Sequence, residues 1–202
     1  NREELFNIMN LLEDSLKKST IPLKLLIISL FIKYTQGDQT LFEEVLGRVS
    51  SELISMSCAA DEEELFVVLT HVLSFVRSPA KIHYESAYRL FYCRGAEKSY
   101  NAQLKIEILT EIATQKSVTE IVEEFSEYTS EHQANVARTA VSSLTKLMLR
   151  FPDHQTIVMK RLLIFIKIGK LELVNSILDA LKNAIPFIGE LSDELTAVFE
   201  TA

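Results

Sequence analysis

Apolar residues recur at helical spacing from one end of this chain to the other. In one segment they fall on a single arc of a helix while glutamates fill the opposite arc, which is typical of an amphipathic helix with one buried face. The apolar set is Val118, Ile121, Val122, Phe125 and Tyr128. The next segment has a broader stripe, made of Val136, Ala137, Ala140, Val141, Leu144, Leu147 and Met148. This periodicity predicts an all-α fold.

Glycine and proline are scarce, with 5 and 4 copies among 202 residues. Because sandwiches and barrels need these residues at their many turns, the scarcity argues against an all-β fold. All four prolines lie where one helical pattern gives way to the next, and the first turn of a helix tolerates a residue without an N–H. About eleven helices are predicted. Their spans are 2–17, 20–35, 38–57, 61–76, 80–93, 98–115, 118–129, 132–150, 153–168, 170–184 and 190–200.

The short joints between these predicted helices make consecutive helices antiparallel neighbours. One helix pair takes about 35–40 residues, close to the period of HEAT and armadillo repeats. A short internal similarity relates residues 22–28 (PLKLLII) to residues 103–109 (QLKIEIL). We therefore expect residues 1–202 to form a single right-handed α-solenoid of about five HEAT/armadillo-like helix pairs, with a compact helical bundle as the alternative.

Two predictions concern the core. Residues 157–168 carry apolar side chains almost all round the helix, apart from an arc with Lys160 and Lys167, so we expect an inner helix there. In the sixth predicted helix, we expect three side chains to be buried against the two helices that follow. They are Leu104, Ile108 and Leu109.

Charge and hydropathy exclude several classes of protein. A net charge of −7 and a pI of about 5.2 argue against nucleic acid as the main partner, because phosphate neutralisation needs a cationic face. The most apolar stretch, residues 23–32, is about ten residues long and contains Lys24, so no transmembrane span is expected. Two cysteines are too few for a disulfide framework and fit a reducing compartment. The chain begins at Asn1 rather than Met, so we expect it to be part of a longer protein.

Histidines and cysteines give no pattern that points to chemistry. No two of the four histidines are three or four residues apart, so no helical metal pair exists. The histidines are His71, His83, His132 and His154, and we expect His71 to be a structural histidine and the last two to face solvent. Cys58 is expected at a helix end and Cys93 as a buried residue, without the base that a catalytic thiolate needs.

Acidic residues cluster at positions 61–64, as Asp-Glu-Glu-Glu. An aspartate N-cap followed by glutamates in the first turn explains this cluster, because the helix dipole favours negative charge there. The five scattered glycines form no phosphate-binding loop. No catalytic, cofactor-binding or metal-ligating residue is therefore assigned, no cofactor is expected, and an enzyme is not expected.

Basic residues are concentrated between positions 138 and 170, with a single acid, Asp153, among them. They are Arg138, Lys146, Arg150, Lys160, Arg161, Lys167 and Lys170. The preceding helix is acidic, through Glu120, Glu123, Glu124, Glu127 and Glu131. We expect neighbouring helices to compensate each other's charge, and the alternative is a cationic surface for an acidic protein or an anionic lipid.

A family resemblance starts at residues 91–110, FYCRGAEKSYNAQLKIEILT. The aromatic pair, the short polar turn and the following helix start resemble the trunk of β-adaptins, the large subunits of heterotetrameric vesicle-coat adaptors. The resemblance continues through residues 117–128 (SVTEIVEEFSEY) and 135–141 (NVARTAV) and covers roughly residues 77–150. It is strongest to the β subunit of the third adaptor complex, which serves endosome-to-lysosome or vacuole traffic. The chain departs from many relatives at residues 143–146 (SLTK).

This resemblance implies a structural scaffold subunit of a cytosolic coat adaptor that acts in vesicle-mediated protein transport. It implies a second large chain, a medium chain and a small chain as partners, and contacts with a small GTPase and a membrane surface through the assembled complex. It also implies a cytoplasmic protein, peripheral on Golgi or endosomal membranes. The alternative is another HEAT/armadillo scaffold, such as a transport receptor or a phosphatase scaffold, although an importin-like groove would repeat Trp/Asn pairs and this chain has no tryptophan.

Overall fold

The computed structural model describes residues 19–35, 37–95, 97–131, 133–168 and 171–184. Within these ranges the chain is helical and has no strand, which confirms the all-α prediction. The α-helices are α1 (Ile21–Thr35), α2 (Gln39–Ala59), α3 (Glu62–Val76), α4 (Ser99–Ile112), α5 (Val118–Glu131), α6 (Ala134–Arg150), α7 (Gln155–Ile168) and α8 (Leu171–Ala184). Short 3₁₀ helices span Pro79–His83, Glu85–Phe91 and Pro152–His154. The predicted helices 2–17 and 190–200 lie outside the described residues.

The described helices form two compact units, which divide between Leu90 and Phe91. In the first unit, α2 packs against both α1 and α3, and the 3₁₀ helix Pro79–His83 packs against α2 and α3. Fully buried aliphatic residues, among them Leu53 of α2 and Leu69 of α3, make its core. Burying one such side chain stabilises the fold by about 1.5–3 kcal/mol, so these buried residues stabilise the first unit.

The second unit is organised around α6, which packs against α4, α5, α7 and α8. The contacts of α4 with α6, and of α6 with α8, join alternate helices, while α5 contacts α7 on the other side. At the end of α6, Arg150 Nη1 donates hydrogen bonds to the carbonyl oxygens of Thr110 (3.0 Å) and Glu111 (2.9 Å) near the end of α4. Because the same ends of α4 and α6 meet, the two helices run in the same direction. This alternation of two layers is typical of stacked helix pairs.

The predicted apolar stripes of α5 and α6 are confirmed. Every apolar residue of the α5 stripe is at most 3% exposed, and every residue of the α6 stripe at most 5%. Both stripes pack together, because α5 and α6 are neighbours in the second unit. The glutamates opposite the α5 stripe stay on its accessible side.

An α-helix predicted over residues 80–93 is wrong, because two 3₁₀ helices take its place and end at Phe91. The backbone closes with i to i−3 hydrogen bonds, such as that from the Tyr84 N–H to the Lys81 carbonyl (2.9 Å). Tyr84 is fully buried, whereas Ile82 and Leu90 are 66% and 52% exposed. The apolar residues at 82 and 90 therefore supported an α-helical stripe that does not form.

The prediction that α7 is an inner helix is also wrong in part. Val158 and Leu162 are fully buried, but Ile157 and Ile164, seven residues apart on the helix, are 43% and 45% exposed. Lys160 lies on the same exposed side. Because apolar residues surround α7, the sequence alone does not say which of them the fold covers. In the described part of the chain, no helix is long and apolar enough to cross a bilayer.

Helix α2 runs without a break through Gly47, a residue that weakens a helix interior. A Cβ atom at this position would lie 3.5 Å from Cε1 of His83, which is ordinary van der Waals contact. Because the change removes the backbone entropy of glycine without a clash, Gly47→Ala is expected to raise the free energy of unfolding by about 0.5–1 kcal/mol. Urea titration measures the change, and a destabilisation of similar size would show that the His83 ring must approach the helix more closely.

Candidate interaction surface

Two of the histidines singled out in the sequence hold structural positions, whereas His83 is exposed. His71 is half-buried, and its Nδ1 lies 2.9 Å from the Val67 carbonyl oxygen one turn earlier in α3. His154 is half-buried rather than solvent-facing, with its ring edge-on to Phe151 at a centroid distance of 6.4 Å. His132 lies outside the described residues. Within the described ranges, no group of three or more His, Cys, Asp or Glu side chains is placed to hold a metal ion.

The acidic cluster at the start of α3 has the predicted capping geometry. Asp61 Oδ1 accepts hydrogen bonds from the backbone N–H groups of Glu63 (3.1 Å) and Glu64 (2.9 Å). These donors would otherwise lack a partner in the first turn, and an aspartate cap stabilises a helix by about 1 kcal/mol. The cluster is therefore accounted for by the helix start.

A partly buried polar network holds the turn between the second 3₁₀ helix and α4. The Cys93 N–H donates to the Tyr128 hydroxyl (2.7 Å), and that hydroxyl donates to Glu124 Oε1 (2.5 Å). The Cys93 thiol lies 3.7 Å from the Ala102 carbonyl oxygen. Burial raises the pKa of Tyr128, so its phenol keeps the proton that it donates to Glu124. The network ties the turn to both α4 and α5.

A buried ion pair belongs to the same turn. Lys105 Nζ lies 2.6 Å from Glu97 Oε1, and the two side chains are only 6% and 8% exposed. Lys105 Nζ also lies 3.5 Å from the Tyr92 carbonyl oxygen, and Glu97 Oε2 accepts from the Arg94 N–H at 3.3 Å. Sequence reasoning did not single out either residue. The available signal was a lysine on the apolar stripe of α4, at a position where a charge needs a partner.

The two cysteines should react with thiol reagents at very different rates. Burial raises the pKa of Cys93 from its ordinary 9.0 to about 12, whereas Cys58 is exposed at the end of α2. At neutral pH this shift lowers the Cys93 thiolate fraction about a thousandfold, so we expect one fast and one slow thiol in a colorimetric assay of the folded chain. Cys58→Ser should remove the fast phase and Cys93→Ser the slow one. Two equally fast thiols would contradict the partial burial of Cys93, which was expected to be buried and is half-buried.

The same shift makes stability depend on alkaline pH. The folded chain holds the Cys93 proton up to a pKa of about 12, whereas the unfolded chain releases it near 9.0. Its contribution to stability is therefore complete below pH 9 and is lost as the pH rises toward 12. Tyr84 acts in the same sense, because burial raises its pKa from 10.0 to about 12.

The described basic residues of positions 138–170 have different environments. Arg150 is occupied by the carbonyl groups at the end of α4, and its guanidinium also lies 5.2 Å from the centroid of the Phe151 ring. Arg138 Nε lies 3.4 Å from the Ala134 carbonyl oxygen one turn earlier. Lys146 and Lys160 are exposed. The side chain of Lys167 and the whole of Lys170 lie outside the described residues, so recruitment of an acidic partner or a lipid by this segment stays a prediction.

Arg161 has a different environment, in a cleft between α5 and α7. The cleft has a volume of about 390 Å³ and is lined by Glu123, Ser126, Glu127, Arg161, Ile164 and Phe165. Phe165 is 7% exposed and forms the floor with Ile164, which is 45% exposed. The expected compensation of charge between neighbouring helices is thus supported at Arg161, which shares the cleft with two glutamates of α5.

The comparisons with known proteins agree on one family. Residues 2–201 match the family described as the adaptin N terminal region. The chain is 32% identical to beta-adaptin-like protein A of Arabidopsis thaliana over 168 residues, which are 83% of this chain and 20% of that protein. It is 28% identical to AP-4 complex subunit beta of Dictyostelium discoideum over 157 residues, with 76% and 19% covered. It is 29% identical to AP-4 complex subunit beta-1 of Mus musculus over 162 residues, with 80% and 22% covered.

Each of these relatives is much longer than the chain, which spans about a fifth of their length. Two of them carry the name of the fourth adaptor complex, so the comparisons do not support the expected assignment to the third complex. The family match extends over nearly all 202 residues, well beyond the segment that carried the resemblance in the sequence. The chain therefore belongs to the adaptin family, and residues 2–201 match the N-terminal region of that family.

Proposed function

We propose that this chain is part of a β-type large subunit that acts as a structural scaffold in a vesicle-coat adaptor complex of protein transport. The family match over residues 2–201 carries the proposal. The names of the relatives support the β type. A scaffold of this kind works through its surface and rigidity, and the partly buried polar network and stacked helices of the second unit supply the rigidity.

We also propose that residues 1–202 form one continuous stretch of a right-handed α-solenoid of about five HEAT/armadillo-like helix pairs. The two layers of the second unit support this architecture, as do the same-direction helices α4 and α6 joined by Arg150. Stacked repeats expose long surfaces in proportion to their length, which suits a subunit that holds several others.

The proposed partners are the other subunits of the complex: a second large chain, a medium chain and a small chain. Contacts with a small GTPase and with a membrane surface would follow through the assembled complex, on the cytoplasmic side of Golgi or endosomal membranes. The relatives named as subunits of an AP-4 complex support assembly with other chains and favour the fourth complex over the third.

Affinity purification of the tagged full-length parent, followed by mass spectrometry, tests the proposal. We expect one second large chain, one medium chain and one small chain in equal amounts, and the medium chain identifies the complex. The parent without the region of residues 2–201 is the control and should lose these partners. Recovery of a phosphatase catalytic subunit or a nuclear cargo in their place would contradict the proposal and favour another helical-repeat scaffold.

A further inference from the structure

The cleft between α5 and α7 has walls of opposite charge above an apolar floor. Glu123 and Glu127 of α5 form one wall and Arg161 of α7 belongs to the other, and all three residues are exposed. Ile164 is 45% exposed within the cleft, although a β-branched residue is a weaker helix former than leucine or lysine. An exposed isoleucine therefore brings this helix no advantage in the isolated chain. It suits a position that a second molecule covers.

The exposed side of α7 extends this surface beyond the cleft. Ile157 is 43% exposed one heptad before Ile164, and the exposed Lys160 lies between them. Residues seven apart lie on one side of a helix, so the two isoleucines form an apolar row with cations beside it. The row of isoleucines follows the axis of α7, and the cleft adjoins this row at Ile164, which together is the kind of surface that binds an amphipathic helix.

We propose that this surface binds an amphipathic helix of a partner protein, with a basic edge beside Glu123 and Glu127 and an acidic edge beside Arg161. The proposal rests on the proposed scaffold function and names the kind of segment that the scaffold holds there. The cleft volume of about 390 Å³ accepts one or two anchor side chains of that helix, which would pack on Ile164.

Charge and shape favour a protein helix over the other occupants. Anionic lipid headgroups would be repelled by Glu123 and Glu127, which line the same cleft as Arg161. A second copy of the chain would bring one concave cleft against another, and neither would fill the other. A helix with one basic and one acidic edge has an orientation in which both edges meet opposite charge, and its apolar row fills the floor.

Three synthetic peptides test this proposal on the 202-residue chain. Each is a helical peptide of about five turns with the same leucine stripe. The mixed peptide has lysines along one edge and glutamates along the other, the lysine peptide has lysines along both edges, and the glutamate peptide has glutamates along both. Fluorescence anisotropy at low and high salt gives the Kd of each. We expect the mixed peptide to bind about fivefold more tightly than either of the others at low salt, with the preference reduced at high salt.

Charge reversal of one wall should change which of the three peptides binds most tightly. Glu123→Lys/Glu127→Lys makes both walls basic, so the glutamate peptide should become the tightest ligand. Arg161→Glu makes both walls acidic, so the lysine peptide should become the tightest ligand. Both exchanges concern exposed residues, and circular dichroism should show unchanged helix content and melting.

The first unit of the chain supplies matched controls. Glu43→Lys/Glu44→Lys in α2 changes the net charge by the same amount as the α5 double variant, and both residues are exposed. This variant should keep the original order of the peptides, which separates the cleft from attraction to the overall charge. Ile164→Ser should weaken all three peptides, whereas Ile82→Ser, at a residue that is 66% exposed in the first unit, should weaken none.

The proposal is overturned if either wall variant keeps the peptide order of the unchanged chain. It is also overturned if the chain binds anionic vesicles through Lys160 and Arg161, or if sedimentation shows a dimer that the wall variants dissociate. Peptide binding is measured without the other adaptor subunits. A failure here therefore leaves the co-purification result untouched, and a failure of co-purification leaves the peptide order untouched.

Discussion

Leu109→Ala is expected to lower the free energy of unfolding by about 2–5 kcal/mol. Leu109 is fully buried on α4, and α4 packs against α6, the central helix of the second unit. Truncation removes buried methyl groups and leaves a cavity that tightly packed neighbours fill only in part. Urea titration followed by circular dichroism measures the loss, and the m-value should stay constant if the change acts on the folded state alone.

Leu104→Ala provides the control within the same helix. We predicted Leu104, Ile108 and Leu109 as buried, and the structure confirms Ile108 and Leu109, whereas Leu104 is only half-buried. The same chemical change at Leu104 should therefore lower the free energy of unfolding by clearly less than at Leu109. Equal losses at the two positions, or a loss below about 0.5 kcal/mol at Leu109, would contradict the packing of α4 described above.

The helices with a distinct polar side were predictable from the sequence. In α5 the glutamates Glu120, Glu123 and Glu127 mark the side away from the core, so only the apolar side of the helix could face the core. The same reasoning placed the stripe of α6, and both stripes are buried as expected. The periodicity determines the orientation of a helix when the cost of burying charge on the other side is large.

Orientation was not predictable where that polar side is absent. Apolar residues surround α7, so nothing in the pattern distinguishes the buried Leu162 from the exposed Ile164. The α-helix predicted over residues 80–93 was wrong for another reason. The spacing of apolar residues does not distinguish an α-helix from two short 3₁₀ helices of similar composition. In that segment the fold buries Tyr84 and leaves Ile82 exposed, which the apolar spacing did not predict.

The polar contacts of the second unit depend on residues that are distant along the chain. Arg150 donates to the carbonyl of Thr110, forty residues earlier, and Cys93 donates to Tyr128. No local spacing encodes such pairs, because they form only when the helices have packed. The basic residues of this segment suggested a cationic surface. At Arg150, however, the guanidinium caps the carbonyl groups at the end of α4.

Lys105→Met is expected to lower the free energy of unfolding by about 3–5 kcal/mol. The change removes the only charge that the structure places against the buried Glu97 carboxylate among the ion pairs of the described residues, 2.6 Å from the lysine. Glu97 is 8% exposed, so water cannot readily replace the lost partner. High salt should alter the loss little, because a buried pair is weakly screened. Urea titration of the variant and of the unchanged chain measures the difference.

Replacement of both partners separates the need for a charge from the need for volume. Lys105→Met/Glu97→Met leaves no buried charge and keeps side chains of similar size, so the double variant should recover most of the stability that Lys105→Met loses. A double-mutant cycle with Glu97→Met gives the coupling energy, which should be large because the two groups are in contact. Additive losses would show that the pair with Glu97 contributes no coupling of its own, and would leave the contact with the Tyr92 carbonyl oxygen as what Lys105→Met removes. Recovery of stability in the double variant would show that the buried Glu97 needs its charge balanced, and that the turn does not require a lysine once both charges are removed.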